Sequence, residues 1–217
     1  MAVFSTEGII VGRSNFGEAD RLLTIITPFK GKIKVVAKGV RRINSRRGGN
    51  VELLNKVKLQ IFQGKGMALL TEAESLKTFP KIKSDLILST YASHVVEVAQ
   101  RLLPEEQLNP QAYNLLATVL TLLETNPRQI FIRAFEVKFL SVLGFWSLDQ
   151  IGGIEERGDI RELLEALQKD SWEEIAQINL DKARALEVER ILRYHIEKVL
   201  ESSLKSMNVI DKLKADK

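Results

Sequence analysis

The stretch of sequence at residues 30–49 has the residue types that point most directly to a binding chemistry. It holds eight cationic side chains and no Asp or Glu. The eight are Lys30, Lys32, Lys34, Lys38, Arg41, Arg42, Arg46 and Arg47. Cations spaced along an extended backbone can contact successive phosphates of a nucleic acid. The stretch therefore predicts a polyanion-binding site, and a solvated, lysine-rich edge strand is the structural alternative.

This basic stretch has two parts with different patterns. Lys32, Ile33, Lys34 and Val35 alternate between charged and apolar, which predicts a strand with one buried face. Residues 41–49 mix arginines with Asn, Ser and Gly and show no apolar periodicity, which predicts a flexible basic loop. We therefore expect a cationic strand that runs into a cationic loop.

Two earlier arginines extend the predicted surface. Arg13 and Arg21 flank the turn that precedes the basic strand, so both are candidate contacts for the same polyanion. Arg21 also follows Asp20 directly, and a structural ion pair between these two residues is the alternative.

Residue types that would support catalysis are scarce. The chain has no cysteine, which excludes disulfides and thiolate metal sites. Its two histidines, His94 and His195, are far apart in sequence. The His94 to Glu97 spacing is more typical of a structural pair than of a metal site, and Gly64-Lys65-Gly66 lacks the pattern of a phosphate-binding loop. The sequence predicts no catalytic residue, cofactor or metal site; a nuclease with dispersed carboxylates is the weaker, enzymatic alternative.

Charge is distributed unevenly along the chain. Residues 1–79 hold 14 Lys and Arg against 6 Asp and Glu, which is a net charge of +8. The whole chain has a net charge of +4, so the remaining residues carry −4. The basic character therefore belongs to the first third.

The start of the sequence has neither the cationic nor the apolar region of a signal peptide, and no uncharged run is long enough to span a bilayer. We expect a cytoplasmic, nucleoid-associated protein.

Short apolar runs in the first 80 residues predict a small barrel. They lie at 8–11, 22–27, 33–40, 51–62 and 67–79, and Gly or Pro residues mark the corners. Residues 13–17 are predicted as the first turn. Five such strands suggest an OB-type barrel, whose binding face uses a cationic groove. Its phenylalanines are predicted as core, with Phe16 as the exposed exception, so we expect phosphate contacts to dominate and sequence preference to be weak.

After Pro80 the apolar period changes from 2 to 3.6, which predicts an all-α domain. Asn-Pro pairs at 109–110 and 126–127 each predict a helix start. The pairs Asp159 with Glu162 and Ser171 with Glu174 have capping-box spacing, and Asp181 is a predicted N-cap. Residues 205–217 are predicted as a frayed tail. The predicted fold is a multidomain α+β protein, with a five-stranded OB-fold barrel at 1–80 and a helical domain at 81–217.

Several sequence blocks resemble one family. In the barrel region these are residues 7–11, the Gly-Glu-Ala-Asp-Arg-Leu-Leu-Thr block at 17–24, the block at 31–42 that begins with Gly-Lys and ends with Val-Ala-Lys-Gly-Val-Arg-Arg, and residues 70–74. In the helical region they are Arg-Ala-Phe-Glu at 133–136, Arg-Tyr-His at 193–195 and Leu-Lys-Ser at 204–206. Together they resemble the RecO family of bacterial recombination mediators.

The resemblance implies a non-enzymatic role. Proteins of this kind bind single- and double-stranded DNA and anneal complementary strands. With RecR they assist the loading of RecA onto strands that are covered by single-stranded DNA-binding protein. The resemblance implies DNA contacts for the cations inside the matched block, which are Lys32, Lys34, Lys38, Arg41 and Arg42. Arg133 matches a family arginine that is implied to bind the C-terminal tail of single-stranded DNA-binding protein; an ion pair with Glu136 is the structural alternative.

One departure from the family pattern affects metal binding. Many members carry a four-cysteine zinc module near the position of residues 148–159, and this chain has no cysteine. Zinc is therefore not expected, and Gly152, Gly153, Glu155 and Glu156 suggest a plain loop.

The alternative function is a generic RNA-binding or ribosome-associated module. Strand annealing and affinity for both single and double DNA would separate the two.

Overall fold

Our computed structural model describes residues 2–45, 47–151, 154 and 157–215. Arg46 and the loop predicted at Gly152, Gly153, Glu155 and Glu156 lie outside the described residues. The predicted α+β architecture is confirmed, because five strands precede a series of helices. The strands are β1 (Ala2–Phe16), β2 (Asp20–Thr27), β3 (Gly31–Ala37), β4 (Lys56–Gln63) and β5 (Ala68–Lys77). The helices are α1 (Pro80–Ser84), α2 (Leu86–Leu102), α3 (Pro110–Thr125), α4 (Ile130–Val142), α5 (Gly158–Lys169), α6 (Trp172–Ile175), α7 (Lys182–Leu200) and α8 (Lys205–Ala215), with a 3-10 turn at Leu148–Gln150.

The predicted five-stranded barrel is confirmed, and its strands have the order β1-β2-β3-β5-β4. Four of the neighbouring pairs are antiparallel. The fifth pair is parallel and joins β3 to β5 through Val35 with Ala68 and Val36 with Leu69. This short parallel pairing closes the barrel.

Alternating residues of the strands fill the barrel. The core cluster consists of Ile10, Leu23, Ile25, Val35, Ala37, Val40, Val51, Val57, Leu59, Ile61 and Leu70. Gly8 lies where β1 and β2 approach closely, since a Cβ atom there would lie 2.5 Å from Cγ2 of Ile25. The period-2 pattern of the sequence therefore corresponds to one packed interior.

Two strand boundaries differ from the prediction. β1 continues through the predicted turn at 13–17, because Asn15 and Phe16 pair with Arg21 and Asp20. The turn itself lies at residues 17–19, where Gly17 has φ +59°. The fourth predicted strand, 51–62, begins only at Lys56, after turns in which the side-chain amide of Asn55 donates to two backbone carbonyls.

Two phenylalanines in turns or at strand ends are exposed. Phe16 is 42% exposed, which agrees with its prediction as the exception. Phe29, predicted as core, is 69% exposed in the turn between β2 and β3, so that prediction is wrong. A Phe in a three-residue turn has no strand face that would direct it inwards.

The first of two compact units contains residues 1–80 together with 100–117. In this unit the segment that follows α2 lies against β3: the backbone N–H of Glu106 donates to the Lys32 carbonyl at 3.0 Å. A Cβ atom on Gly31 would lie 2.4 Å from the Gln107 carbonyl oxygen, and Gly31 has φ +66°. Only glycine suits this close approach. The predicted division into domains at 1–80 and 81–217 stays a prediction.

The second unit contains residues 81–99 and 118–217, and α4 lies at its centre. Nearly all of α4 is buried, and it packs against α5, α6 and α7. The Ser171 capping box and the Asp181 N-cap are confirmed. The start predicted at Asn126-Pro127 is wrong, because α4 begins at Ile130. The box predicted at Asp159 is also wrong, because Asp159 lies inside α5.

The predicted frayed tail is a helix in the structure, α8. Leu204, Met207 and Ile210 are buried. The carboxylate of Glu97 accepts the backbone N–H groups of Lys205 and Ser206 at 2.9 and 2.8 Å, so a residue from α2 caps this helix. Buried apolar side chains and this cap stabilise α8, and neither is visible from the local sequence.

A buried charge network joins four helices of this unit. Arg133 donates to both carboxylate oxygens of Glu136 at 2.9 and 2.7 Å and to Glu189 at 3.2 Å. His94 bonds Glu136 at 2.5 Å through Nε2 and the Ser206 hydroxyl at 3.0 Å through Nδ1. Burial alone would raise the pKa of Glu136, but the charge of Arg133 and the hydrogen bond from His94 outweigh it and hold the pKa below its ordinary value.

Replacing Glu136 with Gln should destabilise the protein by about 3–5 kcal/mol, because a buried arginine loses its closest carboxylate. Urea unfolding followed by circular dichroism measures the difference. The control is Glu162→Gln at an exposed site on α5, expected within about 0.5 kcal/mol of wild type. Equal effects of the two substitutions would contradict a stabilising role for the network.

The comparison of wild type with Glu136→Gln also gives a pH test. The folded-state pKa of Glu136 is lowered, so its contribution is fully present above about pH 4.3, the ordinary carboxyl value. It is lost as pH falls through the lower folded-state value. The stability difference between wild type and Glu136→Gln should therefore shrink in that acid range. A difference that is unchanged down to acid unfolding would contradict the assignment.

Candidate nucleic-acid interface

A groove of about 1100 Å³ lies where the turn between β1 and β2 meets the loop that follows β3. We call this loop, residues 38–50, the arginine loop, and the groove the basic groove. The groove is lined by Glu18, Ala19, Asp20, Lys38, Gly39, Arg41, Arg42, Ile43, Asn44, Ser45 and Arg47. Four of the eight predicted cations therefore share one concave surface.

Three of these cations are exposed: Lys38, Arg41 and Arg42. Arg41 donates from Nη1 to the carbonyls of Gly17 and Glu18 at 3.3 and 3.0 Å, which orients its guanidinium without neutralising it. Within the part of the chain that the structure describes, Lys38 and Arg42 form no ion pair. These three charges can face an anion.

The acidic residues of the groove reduce its potential only in part. One carboxylate oxygen of Asp20 accepts the backbone N–H of Gly39 at 2.8 Å, so this group holds the start of the arginine loop. Gly39 has φ +68°, as expected for a turn glycine. Glu18 is exposed and also lies among the residues that line the groove.

Arg47 has a structural position. Its Nη1 donates to the carbonyls of Leu70 and Thr71 at 3.1 and 3.0 Å, and its Nη2 donates to the Lys38 carbonyl at 3.0 Å. The side chain is half-buried. Arg47 thus ties the arginine loop to β5 and to the end of β3, and three of its five N–H groups donate to carbonyls within the protein.

The lysines of β3 are engaged by the last turn of α2 and by the segment that follows it. Lys32 donates to the Gln100 carbonyl at 2.7 Å, and burial lowers the pKa of Lys32 although Glu105 opposes this shift. Lys34 forms an ion pair with Glu105. The hydrogen bond from Lys34 lowers the pKa of Glu105. Lys32 and Lys34 are therefore less available to a phosphate than their sequence pattern predicted.

Lys30 lies at the other end of β3. It is exposed, and its Nζ lies 5.2 Å from the centroid of the Phe4 ring. The seven residues of β3 span about 23 Å, at about 3.3 Å per residue. Lys30 is thus separated from the basic groove by the length of β3.

Arg13 and Arg21 share one acidic partner. Arg21 donates to Glu52 at 2.9 Å, and Arg13 also pairs with Glu52. The alternative that the sequence offered was an ion pair between Arg21 and Asp20. Arg21 does form an ion pair, but its partner is Glu52. Burial would raise the pKa of Glu52, but hydrogen bonds and charges from the two arginines outweigh it and lower the pKa. One carboxylate between two arginines leaves a surplus positive charge.

Arg133 is 2% exposed. Its ion pair with Glu136 is the alternative that the sequence left open, and a role in binding a partner protein stays a prediction. His94 and Glu97 do not pair with each other as predicted, since His94 bonds Glu136 and Ser206. Among the described residues, no cluster of His, Asp and Glu could hold a metal ion.

The sequence reasoning missed Gln100, Glu105 and Glu52, which decide how available four predicted cations are: Lys32, Lys34, Arg13 and Arg21. Gln100 is 68 residues from Lys32, and Glu52 is 39 and 31 residues from its two arginines. No local pattern connects such partners. The excess of cations at residues 30–49 signals the surface but not which charges are free.

Two family models match successive parts of the chain. Residues 1–79 match the family model described as "Recombination protein O N terminal", and residues 83–148 match "Recombination protein O C terminal". A "DNA repair protein RecO" of Symbiobacterium thermophilum is 35% identical over 67% of this chain and 58% of its own length. Proteins of the same name are 28% identical in a Roseiflexus species and 27% identical in Dehalococcoides mccartyi. These two alignments cover 96% and 97% of this chain, and 85% and 96% of the relatives.

No helix in the described part of the chain is both long and apolar enough to cross a membrane.

Replacing Arg47 with Ala should destabilise the barrel by about 1–3 kcal/mol, because three backbone carbonyls lose a charged donor. Arg42→Ala is the matched control, expected within about 0.5 kcal/mol of wild type because the side chain is exposed. Urea unfolding compares the two variants. If Arg42→Ala is the more destabilising, the division into structural and free arginines is wrong.

Proposed function

The chain belongs to the RecO family, and from this premise we propose that it is a DNA repair and recombination mediator that binds DNA through the basic groove. The observation that carries the proposal is the group of exposed cations at one end of the barrel, Lys38, Arg41 and Arg42. The chain spans less than two thirds of the length of the first relative named above. The activity of the whole protein is therefore part of the proposal.

The groove binds the phosphate backbone in preference to base edges. Its described lining offers guanidinium and ammonium groups, and these read charge rather than sequence. Phosphates are present on single and double strands alike, so the same residues bind both. Lys30, about 23 Å along β3, extends the contact for a strand that follows the barrel.

Annealing follows from charge neutralisation. Two complementary strands repel each other through their phosphates, and a cationic surface that holds one or both strands reduces that repulsion so that bases can pair. The family membership supports a further role together with RecR, in which RecA is loaded onto strands covered by single-stranded DNA-binding protein. We do not assign Arg133 to the binding of that protein's tail, because its guanidinium is buried.

An RNA-binding module is the competing function, because phosphates do not distinguish the two polymers. Competition by RNA of the same sequence decides between them. Equal or weaker competition by RNA, together with pairing of complementary DNA strands, supports the mediator. A clear preference for RNA without annealing would support the alternative.

Replacing Arg41 and Arg42 with Glu should weaken binding to single-stranded DNA at least about 25-fold at 0.1 M salt. Each lost phosphate contact is worth about fivefold there, because the affinity varies with salt to the power of about −0.7 per contact. Fluorescence anisotropy of a labelled oligonucleotide measures the loss.

The matched control is Lys182→Glu with Arg190→Glu. These exposed residues of α7 change the net charge by the same amount in the second unit. The control should lose much less affinity than the Arg41 and Arg42 variant. Equal losses in the two folded double mutants would mean that net charge, rather than the basic groove, determines binding.

Replacing Glu105 with Gln should raise DNA affinity by about fivefold at 0.1 M salt, since Lys34 loses its ion pair and becomes free for one more phosphate. Glu106→Gln is the control. Glu106 directly follows Glu105 and is exposed, and its replacement removes the same charge. The same anisotropy assay applies. An identical gain in both variants would indicate a general charge effect and no specific release of Lys34.

A further inference from the structure

Ile43 has an unusual environment for an apolar side chain. It has a relative exposure of 102%, the largest among the exposed apolar residues of the described chain. It lies in the lining of the basic groove, directly after Arg41 and Arg42. Single exposed apolar residues are ordinary on protein surfaces. An isoleucine at the tip of a cationic loop is a different case, because a polyanion covers this surface in the proposed function.

The backbone around Ile43 is held in place. The Arg41 N–H donates to the Ala19 carbonyl at 3.0 Å, which fastens the loop to the turn between β1 and β2. The Ser45 N–H donates to the Arg42 carbonyl at 2.9 Å, so Ile43 is the second residue of a tight turn. Arg47 fixes the other side of the loop. Ile43 is therefore presented on an ordered turn, and little entropy is lost when a ligand covers it.

Charge complementarity identifies the ligand. An apolar partner protein would have to desolvate Lys38, Arg41 and Arg42 in order to reach Ile43, and this is costly. A single strand of DNA has anionic phosphates that can pair with these cations. Its flat, apolar base faces are attached to the same backbone. Aliphatic side chains can pack against or between bases, as wedges do in other DNA-binding proteins.

We infer that Ile43 contacts the bases of single-stranded DNA whose phosphates lie in the basic groove, and that it gives the protein a preference for unpaired over paired strands. This inference rests on the proposed function and deepens it. In a duplex an aliphatic wedge must first unstack a base step, which has a free-energy cost, so Ile43 gains a base partner more readily on an unpaired strand.

The test uses the full chain and two DNA probes, a single strand that contains 2-aminopurine and the corresponding duplex. Stacked 2-aminopurine is quenched, so wild type should raise its fluorescence when Ile43 packs against a base and disturbs the stack. Ile43→Ala should lower single-strand affinity about five- to tenfold, as expected for the loss of buried aliphatic carbons against a base. It should leave duplex affinity unchanged and remove the fluorescence rise.

Two further variants separate base contact from loop structure. Ile43→Trp offers a larger flat surface and should restore or exceed the wild-type preference for single strands. Leu86→Ala removes a similar exposed side chain at the start of α2 and should have no effect. Equal weakening of single-strand and duplex binding by Ile43→Ala, or no change in either, would overturn the inference.

The failure of the inference can be told apart from that of the proposed function. If wild type binds DNA, and Arg41→Glu with Arg42→Glu weakens that binding, the proposed function stands whatever Ile43→Ala does. If wild type does not bind either probe, the proposed function fails, and the inference about Ile43 fails with it.

Discussion

Arg47 donates three hydrogen bonds to backbone carbonyls, and the interface depends on this arrangement. The bonds join the arginine loop to β5 and to the end of β3, next to the short parallel pairing that closes the barrel. With the Arg41 N–H bonded to Ala19, they hold the loop at both ends. A loop that is rich in Gly, Asn and Arg is thereby ordered, and Lys38, Arg41 and Arg42 line one groove.

The charges of the basic stretch have different roles once the chain is folded. Arg47 supports the loop, Lys32 bonds the last turn of α2, and Lys34 pairs with Glu105. Outside the stretch, Arg13 and Arg21 share Glu52. Among the described cations of the stretch, Lys30, Lys38, Arg41 and Arg42 are exposed and form no ion pair. The family resemblance placed Lys32 and Lys34 among the DNA contacts, whereas in this structure Glu105 competes with phosphate for Lys34. Binding strength thus depends on a carboxylate far away in sequence as well as on the number of cations.

The sequence predicted the barrel and the basic surface, because both follow from local patterns. Period-2 alternation and turn glycines gave the five strands, and eight cations without an acid gave the surface. The failures involve contacts between distant segments. The tail was predicted to fray because its cap, Glu97, lies on α2, and Asp159 has capping-box spacing although the helix already begins at Gly158. Ile43 was not singled out, because its exposure depends on the turn geometry of the folded loop.

The central claim is that about half of the cations in the basic stretch are free to bind phosphate. The most direct measurement is the salt dependence of single-strand binding by wild type. Four exposed cations, Lys30, Lys38, Arg41 and Arg42, predict a log-log slope of roughly −3, or roughly −3.5 if Arg46 adds a contact. A slope of roughly −5 to −6 would mean that all eight cations bind phosphate and that the ion pairs described above open in the complex. A slope near zero would remove the basic groove as a nucleic-acid site.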